Sequence, residues 1–381
     1  MKELTYSELK QLKPGSYILI DTRDSGSILY GMIPGAIHIP EQELYANLAR
    51  YAKEFDPQKD VILYCQRGAR SINLAEAFEE QGRECCSLSG GYLAYLRDTV
   101  SSDKQSSEIQ PKAEDSIRRK YHKQLFTPFA KACKQYQLIQ EGDHIAVCIS
   151  GGKDSMLMAK LFQEIRTHRQ VNFDLTFLVM DPGYHADNRS LIEHNARSLG
   201  IPITIFESSI FDAVDTVEKN PCYLCARMRR GYLYSKAKEL GCNKIALGHH
   251  YDDVIETILM GMLHGGQVQT MMPKLHSTNF EGMELIRPMY LIREADICKW
   301  RDDNELHFLQ CACHFTETCT TCHEDGTTSS KRLETKKLIA ELKKTNPQVE
   351  ANIFNSVSNV NLSTVIAYKE DGVKHYFLDS Y

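Results

Sequence analysis

The chain has 381 residues, which is long for a single hydrophobic core and predicts about two domains. Hydrophobic residues make up 42% and charged residues 25%, so extensive disorder is excluded. The net charge of -5 excludes binding of a phosphate-rich partner through bulk charge alone. No apolar run reaches the roughly 18 residues of a membrane span, and the charged start MKELTYSELK lacks the features of a signal peptide. We therefore expect a cytoplasmic protein that does not bind membranes.

Short β-branched runs alternate with helical patterns over residues 1–100, which predicts a small α/β domain. The runs SYILIDTR and VILYC are typical of strands, and LYANLARYAKEF and SINLAEAFEEQG are typical of helices. The following segment, TVSSDKQSSEIQPKAEDS, is polar, rich in serine and without periodicity. We place a linker at residues 101–116.

The second predicted domain covers residues 117–381. After a basic helix, strand patterns (HIAVCIS, DLTFLVMD, PITIFES, NKIALGHH) alternate with helical ones. This cadence predicts a doubly wound parallel sheet, in which ligands bind at the carboxyl ends of the strands. The motifs described below fall at those ends.

A cysteine follows the strand VILYC and precedes a glycine-containing loop and a helix. Loop amides, the helix N-terminus and the nearby Arg67 and Arg70 would stabilise a thiolate or a persulfide anion at Cys65. The alternatives are a buried structural cysteine and a phosphatase loop of the form Cys-x5-Arg, but the spacing from Cys65 to Arg70 is one residue shorter than that loop. On these residues alone the alternatives stay open.

The segment around Cys65 resembles the active-site loop of the rhodanese family. The resemblance covers about the first hundred residues and extends to Asp21-Thr22-Arg23, to GMIPGAIHIP from Gly31 and to SGGYLAY from Ser89, with Met32 where the family often has histidine. It implies a rhodanese-like sulfurtransferase domain in which Cys65 and Arg70 are catalytic and Cys65 carries a persulfide. A persulfide donor such as a cysteine desulfurase is the implied partner.

An apolar strand, a glycine turn and a helix follow one another in HIAVCISGGKDSMLMAKLF. Gly151 and Gly152 allow backbone amides to approach an anion, the helix N-terminus faces it, and Lys153 neutralises its charge. The pattern predicts a phosphate-binding loop. It is not a Walker A motif, which requires GxxxxGK followed by serine or threonine.

The hexapeptide SGGKDS resembles the PP-loop of ATP pyrophosphatases, which have an adenine nucleotide α-hydrolase-like fold. The resemblance implies that ATP is bound by Ser150, Gly151, Gly152, Lys153, Asp154 and Ser155, with Lys153 also catalytic. It further implies an adenosine contact at Asp181, in LVMDPG, and completion of the site by His249 and Asp253, in ALGHHYDDVIET. We expect Asp253 to contact Mg²⁺ or ATP, although an acidic pair that opens a helix is commonly only dipole compensation.

Thirteen cysteines, several of them in close pairs, favour metal or catalytic thiols over disulfides. From about Lys112 to Ile366 the chain resembles the TtcA family of tRNA 2-thiocytidine synthetases, on the segment CYLCARMRRGYLYSKAKELGCNKIALGHHYDD. The resemblance implies a [4Fe-4S] cluster with one open iron, held by Cys222, Cys225 and Cys311, with Cys313 as the alternative third ligand. Cys319 and Cys322 depart from the family pattern and could instead complete a zinc site with Cys311 and Cys313.

The three sites together predict ATP-dependent tRNA thiolation. We expect adenylation of a cytidine C2 oxygen and insertion of sulfur relayed from a Cys65 persulfide through the iron-sulfur cluster, giving 2-thiocytidine. Basic clusters at Lys112–Lys134, Arg227–Lys238 and Lys331–Lys344 would hold the tRNA backbone. The alternatives are thiolation of another RNA base or a small molecule, and a non-catalytic, ATP-regulated sulfur carrier. The chain could also assemble as a homodimer.

Overall fold

The computed structural model describes residues 2–101, 106–184, 186–208, 210, 221–308 and 331–380. The chain divides into two compact units. The first unit comprises Met1–His250 and Pro273–Thr327, and the second comprises Tyr251–Met272 and Thr328–Tyr381.

The N-terminal part of the first unit is built on a five-stranded sheet in which all paired strands are parallel, in the order β1-β5-β4-β2-β3. Its strands are β1 (Lys2–Leu4), β2 (Tyr17–Asp21), β3 (Ile37–His38), β4 (Asp60–Tyr64) and β5 (Cys85–Leu88). Its helices are α1 (Tyr6–Leu9), α2 (Glu41–Ala46), α3 (Leu48–Glu54), α4 (Ala69–Glu80) and α5 (Gly91–Ser101). The last four residues of β4 are buried, as expected of a central parallel strand.

The second sheet of the first unit has six strands in the order β10-β11-β9-β6-β7-β8. They are β6 (His144–Ile149), β7 (Asp174–Asp181), β8 (Ile203–Glu207), β9 (Lys244–Ala246), β10 (Lys274–His276) and β11 (Glu284–Ile286), and only β10 pairs antiparallel. After β8 the chain returns to the other side of β6, so the strand order reverses between β6 and β9. This is the switch point at which ligands bind in such sheets.

The helices of this part are α6 (Ser106–Arg118), α7 (Thr127–Gln135), α8 (Lys153–Thr167), α9 (Ala186–Ser198), α10 (Pro221–Glu239) and, after the second unit's α11, α12 (Glu294–Asp303), with a π-helical turn at His122–Phe126. The predicted fold class, a small rhodanese-like α/β domain and a parallel-sheet PP-loop domain, is confirmed.

The segment that we expected to be an irregular linker is helical where the structure describes it. Helix α5 continues to Ser101 and α6 begins at Ser106. Ala113 and Ile117 are one turn apart on α6, and both are fully buried. This short apolar stripe anchors α6 despite the polar composition of its sequence, because packing outweighs composition.

The second unit contains three helices and a hairpin among its described residues, namely α11 (Tyr251–Gly265), α13 (Lys331–Thr345), α14 (Val349–Ser356), β12 (Ala367–Glu370) and β13 (Val373–Tyr376). Asp371 and Gly372 join the two strands and both have positive φ, which is the backbone of a type I′ turn. Within the described ranges, no helix is long and apolar enough to cross a membrane.

Candidate active sites

The loop Ser150–Ser155 connects β6 to α8 and includes the first three residues of that helix, at the switch point of the second sheet. Gly151 has a φ of +84°, which favours glycine, and Gly152 caps the helix in an extended conformation. The Ser155 Oγ accepts a hydrogen bond from the Ser150 amide at 3.1 Å and donates one to the Gly152 carbonyl at 3.0 Å. The loop is therefore closed on itself in front of a helix N-terminus, which is a geometry that binds anions.

Lys153, the first residue of α8, is almost completely buried, with a side chain that is 1% exposed. Its Nζ lies 3.2 Å from the Asp154 Oδ2 and 3.2 Å from the Glu294 Oε1, which α12 supplies. The other carboxylate oxygen, Asp154 Oδ1, is buried without a hydrogen-bond partner, and the His250 Nε2 lies 3.9 Å from it. A buried cation and a carboxylate oxygen thus stand at the start of the helix.

The loop after β9 packs directly on the Ser150–Ser155 loop. A Cβ added at Gly248 would lie 3.3 Å from the backbone of both Asp154 and Ser155, so the two loops are in backbone contact. His250 is buried beside this contact, and His249 precedes it in the same loop. The structure therefore brings the predicted SGGKDS and GHH segments together, although they are about a hundred residues apart in the sequence.

Asp181 ends β7, the strand next to β6. Its Oδ1 accepts hydrogen bonds from the Gly183 and Tyr184 amides at 2.9 and 2.7 Å, and its Oδ2 lies 3.1 Å from the Arg189 Nη1. The carboxylate shapes the loop after the strand. Its predicted contact with adenosine remains a prediction.

Asp253 lies in α11, in the second unit. Its Oδ1 accepts a hydrogen bond from the Arg332 Nη1 at 2.9 Å, and the Arg332 Nε is 3.6 Å from the Glu256 Oε2. The structure thus pairs Asp253 with an arginine of α13. Its predicted role as a magnesium or ATP contact remains a prediction.

The Cys65 thiol lies at the carboxyl end of β4, and the residue is 6% exposed. The Gly68 amide donates to the Cys65 Sγ at 3.1 Å, and the Ser71 hydroxyl lies 3.5 Å from it. Ser71 is itself fixed by hydrogen bonds to the Gly68 carbonyl and to Ser87, both at 2.9 Å. Donors at the N-terminus of α4 therefore converge on the sulfur, which favours an anion there.

Arg70, the other predicted catalytic residue, is 62% exposed on α4. Its Nη1 lies 3.9 Å from the Glu41 Oε2. Burial raises the pKa of the Glu41 carboxyl, and the positive charge of Arg70 partly opposes that shift. In the arrangement described, Arg70 contacts Glu41, so its action on a sulfur-bound substrate remains a prediction.

Gly91 explains why the motif SGGYLAY accompanies the thiol loop. Its φ is +55°, and an added Cβ would lie 2.3 Å from the Cys65 carbonyl oxygen and 2.8 Å from the Gly68 nitrogen. The next residue, Tyr92, donates its amide to the same Cys65 oxygen at 2.9 Å. The backbone of the Cys65 loop therefore packs directly on Gly91. Any larger residue at this position would have to displace the backbone of that loop.

The predicted motif Asp21-Thr22-Arg23 forms a buried ion pair beneath the loop. The Asp21 Oδ2 accepts from the Arg23 Nη2 at 2.6 Å and from the Tyr64 hydroxyl at 2.7 Å, and the guanidinium lies 3.8 Å from the centre of the Tyr92 ring. Burial and the Asp21 carboxylate raise the pKa of Tyr64 above its ordinary value. This network supports the strand that carries Cys65.

Cys222 and Cys225 lie in the first turns of α10, three positions apart in the sequence. The structure describes the backbone there but not these two side chains. Cys311, Cys313, Cys319 and Cys322 lie outside the described residues. The predicted metal site therefore remains a prediction.

Comparison with known proteins agrees with this geometry. The model of the PP-loop domain family matches residues 119–313, and the rhodanese-like domain model matches residues 5–98. The chain is thus an α/β sulfurtransferase with a PP-loop domain that uses ATP and a rhodanese-like domain, as expected.

Curated relatives define the family more narrowly. The tRNA-cytidine(32) 2-sulfurtransferase of Geobacter sulfurreducens is 32% identical over 249 residues, covering 65% of this chain and 92% of the relative. That of Coxiella burnetii is 34% identical over 256 residues, covering 66% and 95%. The chain belongs to this TtcA family, which confirms the resemblance. A U34-tRNA thiolase, NcsA from Methanococcus maripaludis with its [4Fe-4S] cluster, is 23% identical with a TM-score of 0.48 over 61% of this chain and 76% of that one.

Proposed function

We propose that the chain catalyses ATP-dependent 2-thiolation of a cytidine in tRNA. The observation that carries the proposal is the closed Ser150–Ser155 loop with the buried ammonium of Lys153, at the switch point of the sheet. The relatives that share this domain are named for thiolation of tRNA cytidine.

In the first step the C2 carbonyl oxygen of cytidine attacks the α-phosphorus of ATP. A P–O bond forms, pyrophosphate leaves, and AMP remains on the C2 oxygen. The amides at the start of α8 and the Lys153 ammonium stabilise the negative charge that develops on the phosphates. For this the ammonium exchanges its contacts with Asp154 and Glu294 for phosphate oxygens.

A divalent cation would assist the departure of pyrophosphate, and Mg²⁺ takes carboxylate oxygens as ligands. Asp154 fits this role because its Oδ1 is buried beside the loop without a hydrogen-bond partner. Asp253, for which the sequence indicated the role, is paired with Arg332 at 2.9 Å and would first have to release it.

In the second step sulfide attacks C2, the C–O bond to AMP breaks, and a C=S bond with one released proton remains. We propose that this sulfide comes from a Cys65 persulfide, stabilised by the Gly68 amide and Ser71. Release of sulfide from a persulfide takes two electrons, which two equivalents of a thiol reductant supply as they form a disulfide. A persulfide donor such as a cysteine desulfurase would reload Cys65.

The remaining cofactor is the [4Fe-4S] cluster, which Cys222, Cys225 and Cys311 would hold, with Cys313 as the alternative third ligand. Two cysteines one turn apart on α10 fit two ligands of one cluster. When bound, the cluster would supply an open iron site for sulfide.

The tRNA would be held by basic side chains that are not already neutralised. In the cluster Lys112–Lys134 most of the N-terminal members pair with carboxylates, for example Arg119 with Asp115 at 2.8 Å and Arg118 with Glu164 at 2.8 Å. Within the described part of the chain, three exposed lysines of this cluster have no carboxylate partner, and we propose that they contact RNA phosphates: Lys123, Lys131 and Lys134.

The test is a reconstituted reaction with anaerobically purified protein, tRNA, ATP, a thiol reductant and thiosulfate. Mass spectrometry of the digested nucleosides should show 2-thiocytidine, and pyrophosphate should be released in equal amount. A different thiolated nucleoside would favour another RNA base as substrate. Absence of pyrophosphate release with every RNA would favour the non-catalytic sulfur carrier and contradict the proposal.

A further inference from the structure

An unbroken line of aromatic contacts leads from the Cys65 loop to the PP-loop domain. Tyr64 precedes Cys65 and stacks on Tyr92 with ring centres 6.4 Å apart. Tyr92 meets Tyr95 at 5.6 Å, and Tyr95 meets the His307 ring edge-on at 5.4 Å. The Tyr95 hydroxyl also lies 3.1 Å from the His307 Nε2. Each of the three tyrosines is buried, so these rings form part of a packed interior.

Helix α9 of the PP-loop domain secures the same contact from the other side. The Asn195 Nδ2 donates to the His307 carbonyl at 2.8 Å. Two turns earlier on α9, Asp187 forms an ion pair with Arg97 of α5. Helix α5 therefore meets the PP-loop domain through a buried aromatic contact and a more exposed charged one.

This interface differs from what a tether alone would give. Tyr95 packs on Tyr92 within its own domain and on His307 of the PP-loop domain, and with both contacts it is only 5% exposed. Burying a phenol beside an imidazole costs less when their polar atoms are paired. Here the Tyr95 hydroxyl pairs with the His307 Nε2, while the His307 Nδ1 is buried without a hydrogen-bond partner. The rhodanese-like domain and the six-stranded sheet of the PP-loop domain both belong to the first unit.

We propose that Tyr95, Arg97, Asp187 and His307 form a docking interface that holds the Cys65 loop against the PP-loop domain, so that sulfur from Cys65 is delivered within one chain. That the transferred group is sulfur rests on the proposed function. Docking makes the delivery intramolecular, which raises the effective concentration of the sulfur donor to about the millimolar range or above. His307 also lies four positions before Cys311 in the sequence.

Mixing two inactive full-length variants tests delivery within one chain. Cys65→Ala lacks the sulfur carrier and Lys153→Ala lacks ATP chemistry, so each alone should fail to thiolate tRNA from thiosulfate. Because neither chain carries both sites, an equimolar mixture should also fail, with a rate below about one twentieth of wild type at micromolar concentration. If the mixture thiolates tRNA, at a rate that rises with the protein concentration, the proposal is overturned.

Charge reversal tests the interface itself. Arg97→Glu places two carboxylates together, and we expect thiosulfate-driven thiolation to fall about fivefold or more, the effect of about 1 kcal/mol. Arg97→Glu combined with Asp187→Arg should restore the rate. The matched control is Arg50→Glu, which reverses a charge in the same domain at the exposed pair with Glu54 and should change nothing. An unaltered rate in Arg97→Glu would overturn the proposal.

Docking can also be measured without any reaction. Small-angle scattering should give a larger radius of gyration for Arg97→Glu than for wild type, the doubly reversed variant and Arg50→Glu. Failure of the proposed function would appear instead in wild type, as absence of 2-thiocytidine in the reconstituted reaction. Equal radii in all four proteins would overturn the docking interface whatever the reaction turns out to be.

Discussion

Lys153 and Glu294 are 141 positions apart in the sequence, yet the Lys153 ammonium lies 3.2 Å from the Glu294 carboxylate. The lysine side chain is 1% exposed, and Asp154 supplies its second carboxylate at 3.2 Å. Nearby carboxylates compensate a buried ammonium for its lost hydration. Glu294 therefore holds the lysine where the phosphates of ATP are proposed to bind.

Replacing Glu294 with glutamine should destabilise the protein, because a buried ammonium loses one of its two carboxylates. We expect the free energy of unfolding to fall by about 1 to 3 kcal/mol, measured by denaturant titration. Asp296→Asn is the matched control on the same helix. Its partner Lys299 is 68% exposed, so the change there should stay below about 1 kcal/mol. Equal losses in both variants would contradict the role of Glu294.

Lys153→Ala should abolish RNA-dependent pyrophosphate release while the thiosulfate sulfurtransferase activity of Cys65 persists. The loss reflects one missing charge in the phosphate clamp, on the order of 2 to 4 kcal/mol of transition-state stabilisation. Both activities can be measured on the same preparation. Undiminished pyrophosphate release in this variant would contradict the assignment of the ATP site.

Gly91→Ala should impair sulfurtransferase activity more than tenfold, because the new Cβ would lie 2.3 Å from the Cys65 carbonyl oxygen and must displace the thiol loop. Gly15→Ala separates this effect from backbone strain. Gly15 also has positive φ, at +88°, but nothing lies within 4 Å of its added Cβ. It should cost about 1 to 2 kcal/mol of stability and leave activity intact. Similar activities in the two variants would contradict the role of Gly91.

The architecture and both loops could be predicted from the sequence because their signals are local. The period of apolar residues marks strands and helices, and the glycines of SGGKDS and the residues around Cys65 stand at the ends of strands, where the fold places ligands. No comparable signal indicates that Glu294 partners Lys153 or that Tyr95 packs on His307. Those contacts depend on the packing of α12 on α8 and of α5 on its neighbours, which local periodicity does not specify.

Two other features depend on packing in the same way. The segment before Arg118 has the composition of a linker, but Ala113 and Ile117 of its helix are buried. Asp253 pairs with Arg332, 79 positions later, which no local pattern indicates. The predicted role of Asp253 as a magnesium or ATP contact stays a prediction.

Stability should depend on the protonation of His307. Burial, and after it the positive charge of Arg301, lower the pKa of the His307 imidazole, while Glu305 and Asp302 act in the opposite direction. The folded protein thus keeps this ring neutral, and the unfolded chain takes up the proton first, near its ordinary pKa of about 6.5. The stabilisation is present above that pH and is lost as the pH falls through the lowered folded-state value.

The measurement is the free energy of unfolding between pH 8 and pH 5. Wild type should lose more stability over this range than His307→Gln, which has no proton to take up at this position. His276→Gln removes a histidine whose side chain is 88% exposed and should follow wild type. Parallel curves for wild type and His307→Gln would show that the buried ring does not contribute.

The cysteines provide the prediction that separates an iron-sulfur enzyme from a zinc-stapled one. If Cys222, Cys225 and Cys311 hold one cluster, alanine at any of them should remove iron and thiolation together. The cluster would have only three protein ligands, so the loss of one leaves it weakly bound. Cys319→Ala and Cys322→Ala then serve as matched controls and should retain both. In a zinc site of Cys311, Cys313, Cys319 and Cys322 the controls would lose zinc and solubility, since breaking a structural zinc site destabilises the fold. Metal analysis of anaerobically purified wild type distinguishes the two metal sites directly. About four irons per chain would support the cluster. Stoichiometric zinc without iron would contradict it and would leave the assignments of the Cys65 and Lys153 sites unaffected.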